Sequence, residues 1–580
     1  MKLMNASCLA ATMLVAGAAS AAEILVTQNI STSTTWTASN TYNLQTQIYV
    51  LPGATLTIEP GTVIASTTNL GGSLAICRGA RIVANGTNDL PIIFTSKADV
   101  ATWTGGNPKT GTARVAMNEW GNLTVMGRAY IGKYGNGAAS TNTAAPNAAN
   151  FAQMEGLTGS SSTDPNVIYG GGDDLDSSGT FSYVSLRYGG KVIGLGNELN
   201  GLSLGGIGKE TVIDHIDIWN NVDDGIEIWG GTVNLQYFSI WNIGDDSLDI
   251  DQGWRGKAQF GLIVQGYSGN AAQGSGVGDN ILEIDGAEKS DAQPVTTGVV
   301  YNLTCIGQTG STGGDTGVEF RDNANLQVRN SIFMDVGEQV FRNINTDGEA
   351  TGGQTGYGHN GTLSYAARWT TPYNTYSTVN PFANPASAYQ AQVDGNLIDV
   401  RDCVFYNNLN ASAYTEANTY GVFTSGNNVN AGTSAANPTA MPIAAITKGT
   451  AVNPNGSLII RPVTSIDPRA ANAAVTSVGT APNDGFFEQA QFRGAFSSTG
   501  NWLCGWTAVD AYGINVAPPG GCVIAAPCPA DLNGDGVVGG ADLGALLSAW
   551  GSTGGDVNDS GDTDGADLGI MLSAWGNCQQ

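Results

Sequence analysis

The chain has 580 residues, of which 81 are glycine and only 12% are charged, and its formal net charge is −26. This composition indicates a body rich in strands and turns, and the length allows a large buried core. The acidic balance argues against nucleic acid and anionic lipid as partners, because both need clustered Lys and Arg on the protein surface.

Residues 1–22 have the pattern of a cleaved secretory signal peptide. They contain Lys2, an apolar run over residues 9–19 and small residues at positions 19–22. We therefore expect a secreted or cell-surface protein, and no later stretch is apolar over the length needed to span a membrane. Export permits disulfide bonds. We predict the pairs Cys504–Cys522 and Cys528–Cys578, and buried free thiols at Cys77, Cys305 and Cys403, which lie on strand-like runs.

Residues 23–525 are predicted to form one body built from repeated coils. Residues 48–64 alternate apolar and polar side chains, and residues 74–84 repeat their core about 26 residues later, as expected of opening coils. Residues 132–165 are rich in Gly, Ala, Asn, Ser and Thr and are predicted to form a loop or flexible cover outside the stack. Further strand-like runs follow at 181–188, 200–204, 281–285, 299–305, 318–321, 326–333 and 397–406.

The middle of this body contains a repeat of 22 residues. Trp-Asn-Asn-Val-Asp-Asp-Gly-Ile-Glu-Ile at 219–228 is echoed by Trp-Asn-Ile-Gly-Asp-Asp-Ser-Leu-Asp-Ile at 241–250. Apolar and polar residues alternate within each unit, as in strands with one buried face. We therefore predict an all-β, right-handed parallel β-helix whose coils lie about 4.8 Å apart. The predicted stacked pairs are Trp219 on Trp241, Asn220 on Asn242, Asp223 on Asp245, Asp224 on Asp246 and Glu227 on Asp249.

Two aromatic-rich segments lie in the C-terminal part of the body. Residues 486–507 are predicted to form an aromatic cap that closes the last coil, because an open end of the stack would expose unpaired edge groups. The other segment is predicted to plug a loop onto the body, with stacking on sugar rings as the alternative. It contains Tyr365, Trp369, Tyr373, Tyr376, Phe382 and Tyr389.

The body resembles a family of secreted bacterial β-helix proteins without assigned function. The resemblance covers most of residues 45–510 and implies a pectate-lyase-like solenoid, but it implies no particular reaction. It is carried by residues 53–64, 197–201, 223–225, 230–233, 245–249 and 494–507.

The stacked acidic residues raise the question of catalysis. Carboxylates about 4.8 Å apart repel by about 3.5 kcal/mol at an effective dielectric of about 20, and a Ca²⁺ ion, a raised pKa or hydration at an exposed corner would offset this. Residues 221–223 and 244–246 resemble the Asn-x-Asp and Gly-Asp-Asp signatures of polygalacturonases. That resemblance implies Asp246 as general acid, with Asp223 and Asp245 activating water.

Other features favour ion binding or turn capping at these positions. The Gly-His-Gly and Arg-x-Lys motifs of polygalacturonases are missing, since the two histidines, His215 and His359, lie elsewhere. A polysaccharide lyase is a further hypothesis, in which Arg255 and Lys257 would supply the base.

Residues 526–580 carry the most specific motif of the sequence. Two twelve-residue segments, 531–542 and 556–567, place oxygen ligands where an EF-hand loop holds Ca²⁺, and each runs into an apolar helix-like pattern. Two Ca²⁺ ions would order both loops, whereas acidic turns without metal are the alternative. The predicted ligands are Asp531, Asn533, Asp535, the carbonyl of Val537, Asp542, Asp556, Asn558, Ser560, Asp562 and Asp567.

This paired module is similar to a type I dockerin, with Asp in place of the EF-hand glutamate at position 12 of each loop. The resemblance implies a cohesin-like protein partner and frequent association with polysaccharide-degrading enzymes. Two functions follow as hypotheses. The favoured one is a displayed scaffold or a protein that binds extracellular polysaccharide; the alternative is a glycosidase or polysaccharide lyase delivered by the same module.

Overall fold

A computed structural model of the chain describes residues 22–133, 151–161, 164–193, 199–266, 278–287, 293–308, 316–344, 357–359, 363–375, 388–408, 420–431, 439–453, 460–519, 521, 530–532, 537–557 and 562–577. The predicted signal peptide up to residue 21 and residues 134–150 of the predicted loop lie outside these ranges.

Short strands make up most of the regular structure. In chain order they are β1 (Ala22–Val26), β2 (Thr34–Trp36), β3 (Asn40–Leu44), β4 (Gln47–Val50), β5 (Thr55–Ile58), β6 (Val63–Ser66), β7 (Ser73–Ile76), β8 (Arg81–Asn85), β9 (Ile92–Ser96), β10 (Leu123–Met126), β11 (Ala152–Gln153), β12 (Ile168–Tyr169), β13 (Gly179–Arg187), β14 (Leu202–Ile207), β15 (Val212–Trp219) and β16 (Ile226–Gly231). They continue as β17 (Asn234–Trp241), β18 (Leu248–Asp251), β19 (Lys257–Val264), β20 (Asn280–Ile284), β21 (Thr297–Ile306), β22 (Thr316–Phe320), β23 (Asn325–Arg329), β24 (Ile332–Met334), β25 (Phe341–Asn343), β26 (Asp399–Arg401), β27 (Val404–Tyr406), β28 (Val429–Asn430), β29 (Ile443–Lys448), β30 (Val463–Ala470), β31 (Val537–Val538) and β32 (Gly576–Asn577).

Helices are few and short among the described residues. The α-helices are α1 (Lys97–Val100), α2 (Ala508–Ala511), α3 (Gly540–Ser548) and α4 (Gly565–Ser573). Single 3₁₀ turns occur at Thr104–Gly106, Pro108–Thr110, Ala366–Trp369, Val422–Thr424, Asn472–Val475 and Thr553–Gly555.

Two large parallel sheets form the body. One has nine strands in the order β4-β7-β10-β14-β16-β18-β20-β22-β25. The other has 17 strands and runs through the successive parallel pairs β13–β15, β15–β17, β17–β19 and β19–β21. Strands adjacent in a sheet come from successive coils, so the described chain winds as an all-β parallel β-helix, as predicted. The handedness of the coil stays a prediction.

The long strands of the 17-stranded sheet bend at a residue with left-handed backbone. Tyr183, His215, Tyr237 and Phe260 have φ between 49° and 59°, a conformation uncommon for residues other than glycine. Before its bend β13 pairs with β8, and after it with β9. The bend therefore joins two faces of each coil, and the nine-stranded sheet is the third face. These four residues are called the aromatic row below.

The predicted superposition of coils is confirmed. Trp219 pairs with Trp241, and their ring centroids are 5.9 Å apart. The Nδ2 of Asn242 donates to the Oδ1 of Asn220 at 3.1 Å. The opening coils also stack at the predicted offset, because Ile48 pairs with Leu74 and Leu56 pairs with Ile82. Inward residues of the repeat fill the core: Ile226, Ile228, Leu248 and Ile250 are all 0% exposed.

The cysteines agree with the prediction where the structure describes them. Cys77, Cys305 and Cys403 are buried free thiols, and Cys504 is disulfide-bonded. Its predicted partner Cys522, and the predicted Cys528–Cys578 pair, lie outside the described residues.

The aromatic segment near the C-terminus of the body differs from its prediction. The sequence predicts a cap on the last coil, but residues 484–514, here called the strap, run along the side of the stack. Phe487 of the strap packs on Tyr301, and Trp502 packs on Tyr237. Farther along, the Oη of Tyr512 donates to Asp99 in an early coil at 3.1 Å. The outward rings of the aromatic row explain this path, because apolar rings on the side of the stack need a cover.

The aromatic segment that begins at Tyr365 packs against the body. Tyr365, Trp369 and Tyr389 are 5%, 8% and 3% exposed, which confirms the packed interpretation for these residues. Tyr373 is partly exposed, and Tyr376 and Phe382 lie outside the described residues.

The C-terminal segment holds α3 and α4 and an antiparallel pairing of β31 with β32. The predicted apolar face of the helices is buried only in part: Leu546 and Met571 are 0% exposed, whereas Leu547 and Trp550 are 52% and 50% exposed. No helix in the described part of the chain has the length and apolar character needed to cross a membrane.

Candidate functional site

Acidic side chains form a continuous row on the outer face of the nine-stranded sheet. In register from β16 to β25, Glu227 pairs with Asp249, Asp249 with Glu283, Glu283 with Glu319, and Glu319 with Arg342. The row arises because the apolar residues on either side point inward, so the intervening residue of every coil points outward. We call these four carboxylates the acidic row.

The predicted acidic residues do lie together. Carboxylate oxygens of Asp223, Asp224 and Asp245 lie within 4.8 Å of one another, and so do those of Asp224, Glu227 and Asp249. These side chains are largely withdrawn from solvent: Asp223 is 8% exposed, Asp224 7% and Glu227 7%. The site is therefore a buried concentration of negative charge.

Two of the aspartates cap the corners between coils. The Oδ1 of Asp224 accepts the backbone N–H of Asp246 at 2.9 Å, and the Oδ1 of Asp246 accepts that of Asn280 at 2.6 Å. The same bond is thus made one coil later by the equivalent residue. This arrangement supports a turn-capping role for Asp246. The polygalacturonase resemblance implies a different role for the same residue, that of general acid.

One oxygen in the cluster lacks a partner. Asp249 is 8% exposed, and its buried Oδ1 has no hydrogen bond to any residue that the structure describes. It belongs to the group formed with Asp224 and Glu227, which is held in part by the amide of Asn200 donating to Glu227. A buried anionic oxygen without a donor is costly, and a proton or a cation is what removes that cost.

The cluster is electrostatically strained. Burial, followed by repulsion from neighbouring carboxylates, holds the pKa values of Asp224, Glu227, Asp246 and Asp249 well above the usual range. Burial likewise raises the pKa of Glu319 to about 7, against the opposing effect of Arg342. Each of these carboxyl groups takes up a proton readily or needs a nearby positive charge.

Cations close the row at one end. Arg321 contacts Glu283, and its guanidinium lies 3.5 Å from Asp285, while Arg342 lies 3.0 Å from Glu319. Sequence reasoning from the 22-residue repeat missed Glu283, Glu319 and both arginines, because longer connections separate these coils. The recurring apolar-acid-apolar triplets at 248–250, 282–284 and 318–320 were the available signal.

The residues named for lyase chemistry lie elsewhere and are engaged. Both terminal nitrogens of Arg255 donate to Asp174 at 2.7 Å, and its side chain is 0% exposed. Lys257 pairs with Asp484 of the strap at 2.5 Å. These ion pairs engage both side chains away from the register of the acidic row, and a role for them as a base there stays a prediction.

Neither histidine serves the acidic row. His215 stacks between Tyr183 and Tyr237, with centroid distances of 4.1 and 4.5 Å. The buried His359 lies 2.7 Å through its Nε2 from the carbonyl oxygen of Tyr373, and burial lowers its pKa to about 4. These contacts give both rings packing roles within the body.

The predicted metal ligands of the C-terminal segment are described only in part. Asp542 and Asp567, at position 12 of their loops, are 0% exposed. Each accepts a backbone N–H at the start of its helix, from Gly539 at 2.8 Å and Asp564 at 2.7 Å. Asp531 and Asp556 are partly exposed, Asp562 is exposed and Val537 lies in β31. Asn533, Asp535, Asn558 and Ser560 lie outside the described residues.

Comparison with known families agrees with the geometry of the body. Residues 28–359 match the model of the pectate-lyase-like beta helix domain, which spans more than half of the chain. The chain belongs to this family. No curated protein and no solved structure matches it. The acidic row lies inside the matched beta helix domain, whereas the strap and the C-terminal segment lie beyond it.

Proposed function

We propose that the chain is a secreted or cell-surface protein that binds extracellular polysaccharide along the acidic row, with Ca²⁺ held at Asp224, Glu227 and Asp249. One observation carries the proposal: the buried Oδ1 of Asp249 has no hydrogen-bond partner inside a group of three carboxylates. Hard oxygen ligands of this kind suit Ca²⁺, which takes six to eight ligands. Three carboxylates leave coordination positions for sugar hydroxyl or carboxylate oxygens.

The fold supports this function through its shape. Stacked coils present a row of equivalent side chains along the body, and an extended polymer binds such a surface over several coils. The arginines at the end of the row add donors for sugar oxygens. A cation at the site would also explain how adjacent coils tolerate the stacked charges.

Binding should be tested on a panel of neutral and acidic polysaccharides by affinity gel electrophoresis, with Ca²⁺ and with EDTA. We expect retardation that requires Ca²⁺ and is lost in Asp249→Asn. The exposed residue Glu210 supplies a matched control, because Glu210→Gln changes a carboxylate away from the row. Retention that persists in EDTA, or that is unchanged in Asp249→Asn, would contradict the proposal.

The alternative function is polysaccharide cleavage at the same face. It is favoured by Asp223, Asp224 and Asp245, whose carboxylates lie within 4.8 Å of one another, and by the raised pKa of buried Asp246, which suits a general acid. Assays for released reducing ends and unsaturated products separate the two functions. Cleavage lost in Asp246→Asn would establish an enzyme, whereas Ca²⁺-dependent binding that survives this substitution supports binding alone.

We further propose that residues 526–580 attach the protein to a cohesin-like partner as a Ca²⁺-dependent dockerin. The support is the two loop sequences together with the buried position-12 aspartates at the starts of α3 and α4. Exposed Leu547 and Trp550 recur one repeat later as exposed Leu572 and Trp575, which gives the segment two equivalent apolar surfaces.

Calcium binding by the segment is tested by circular dichroism of the full chain. We expect EDTA to lower the helical signal, because α3 and α4 depend on the ordered loops. Asp542→Asn should produce the same loss without chelator. Asp559→Asn is the matched control, since position 4 of the loop is not a ligand position. Helicity that EDTA leaves unchanged would exclude the dockerin proposal.

A further inference from the structure

A cavity of about 430 Å³ opens beside the last coils of the 17-stranded sheet. Its volume is within the range of about 300 to 1,000 Å³ typical of small-ligand pockets. Trp369 and Tyr420 form one wall, with stacked rings whose centroids are 5.0 Å apart. Tyr420 is 45% exposed, so this wall offers an aromatic surface to a ligand.

Trp369 supplies an unsatisfied donor at this cavity. The residue is 8% exposed, and its buried Nε1 has no hydrogen-bond partner in the described part of the chain. Buried indole N–H groups normally have an acceptor, because leaving one unpaired is costly. A ligand with hydroxyl or ring oxygens would supply that acceptor.

The two charged groups that line the cavity, Asp399 and Arg401, are paired with each other, and Asp399 also lies 3.2 Å from the Nη2 of Arg329. The Nε of Arg401 donates to the Oδ1 of Asp399 at 2.9 Å, and its Nη2 lies 2.8 Å from the Oδ2. The amide of Asn396 and the hydroxyl of Ser425 add uncharged polar groups to the lining. The wall therefore combines an aromatic plane, polar donors and acceptors, and no unpaired lining charge.

We propose that this cavity is a subsite for a neutral sugar ring. The apolar face of a pyranose would lie on Tyr420, while its hydroxyls would meet the indole N–H of Trp369 and the polar edge around Arg401. The subsite extends the proposed polysaccharide binding, but it needs neither the Ca²⁺ ion nor the acidic row. Its neutral lining also distinguishes it from that row.

Calorimetric titration of the full chain in EDTA with cellotriose, maltotriose, mannotriose and trigalacturonate tests the subsite. We expect at least one neutral trisaccharide to bind, and we expect Tyr420→Ala to weaken that binding about tenfold. Tyr420→Phe keeps the aromatic plane and should stay within about twofold of the unmodified chain. Because Tyr420 is half exposed, the alanine variant is expected to fold, which its melting temperature checks.

A second readout reports on Trp369 directly. In an NMR spectrum of the indole N–H groups, the signal of Trp369 is the one that Trp369→Phe lacks. We expect this signal to shift as the trisaccharide saturates the protein. Both measurements are made in EDTA, so failure of the acidic-row proposal does not affect this test. The proposal is overturned if no neutral trisaccharide binds, if trigalacturonate alone binds, or if Tyr420→Ala binds as well as the unmodified chain.

Discussion

Two rows of side chains run along the same stack of coils and behave in opposite ways. In the aromatic row, neighbouring rings from Tyr183 to Phe260 lie 4.1 to 4.9 Å apart and attract one another. In the acidic row, neighbouring carboxylates repel. Both rows arise because the coil repeat places equivalent residues directly over one another.

The difference shows that a coil repeat multiplies the interaction between its outward residues, whether that interaction is attractive or repulsive. The aromatic row is stabilised within the chain, since the strap covers it with Trp502 and Trp506. Arginines contact the acidic row at one end, and burial holds the pKa values of Glu227 and Asp249, at its other end, above the usual range. One row therefore stabilises the fold, whereas the other adjoins the cation site that we propose.

The largest effect is expected where the strap covers the aromatic row. Trp506 is 1% exposed, packs edge-on against His215 and donates its indole N–H to the carbonyl of Trp502 at 2.7 Å. Trp506→Ala should lower the free energy of unfolding by about 4 kcal/mol, as for other buried tryptophans. Chemical denaturation measures this. Trp575→Ala, at a residue that is 51% exposed, is the matched control and should cost little. Equal losses would contradict the covering role of the strap.

The acidic row should make stability depend on pH in the absence of metal. Glu319 has an ordinary pKa of 4.5 when unfolded and about 7 when folded, mainly because of burial. A pKa raised by folding stabilises the protein below pH 4.5, and this contribution is lost as the pH rises towards 7. The expected loss is about 3 kcal/mol for this residue. Melting in EDTA across this range measures it.

Two variants distinguish the contribution of Glu319 to this pH dependence from that of other groups. Glu319→Gln should reduce the decline in stability between these pH values by about 3 kcal/mol, whereas Glu210→Gln should leave it unchanged. A decline of the same size in both variants would assign the pH dependence to other groups.

A smaller effect is expected at the proposed cation site. Asp249→Asn removes one buried negative charge, so in EDTA we expect the protein to be more stable by about 2 kcal/mol. The same variant should lose the rise in melting temperature that Ca²⁺ gives to the unmodified chain. Asp89→Asn is the control, because the side chain of Asp89 is 63% exposed. Calcium stabilisation that survives in Asp249→Asn would remove this residue from the site.

The sequence predicted those parts of the fold that depend on local repetition. The echo at 219–250 was sufficient to superpose Trp219 on Trp241 and Glu227 on Asp249, because both coils have the same length. It could not extend the acidic row to Glu283 and Glu319, where insertions change the spacing. It also could not place the strap, because the contact between Tyr512 and Asp99 joins residues 413 positions apart.

The smallest effect is expected at a hydrogen bond between the aromatic row and the strap. The phenol of Tyr237 donates to the Oε1 of Glu488 at 2.7 Å, and this bond opposes the effect of burial, which raises the pKa of Glu488. Tyr237→Phe keeps the stacked ring and removes only the donor, so we expect a loss of about 1.5 kcal/mol at neutral pH. The loss should shrink on acidification, because a protonated Glu488 depends less on that donor. A double-mutant cycle with Glu488→Gln isolates the pair, and a coupling energy near zero would show that the strap is held by the rings alone.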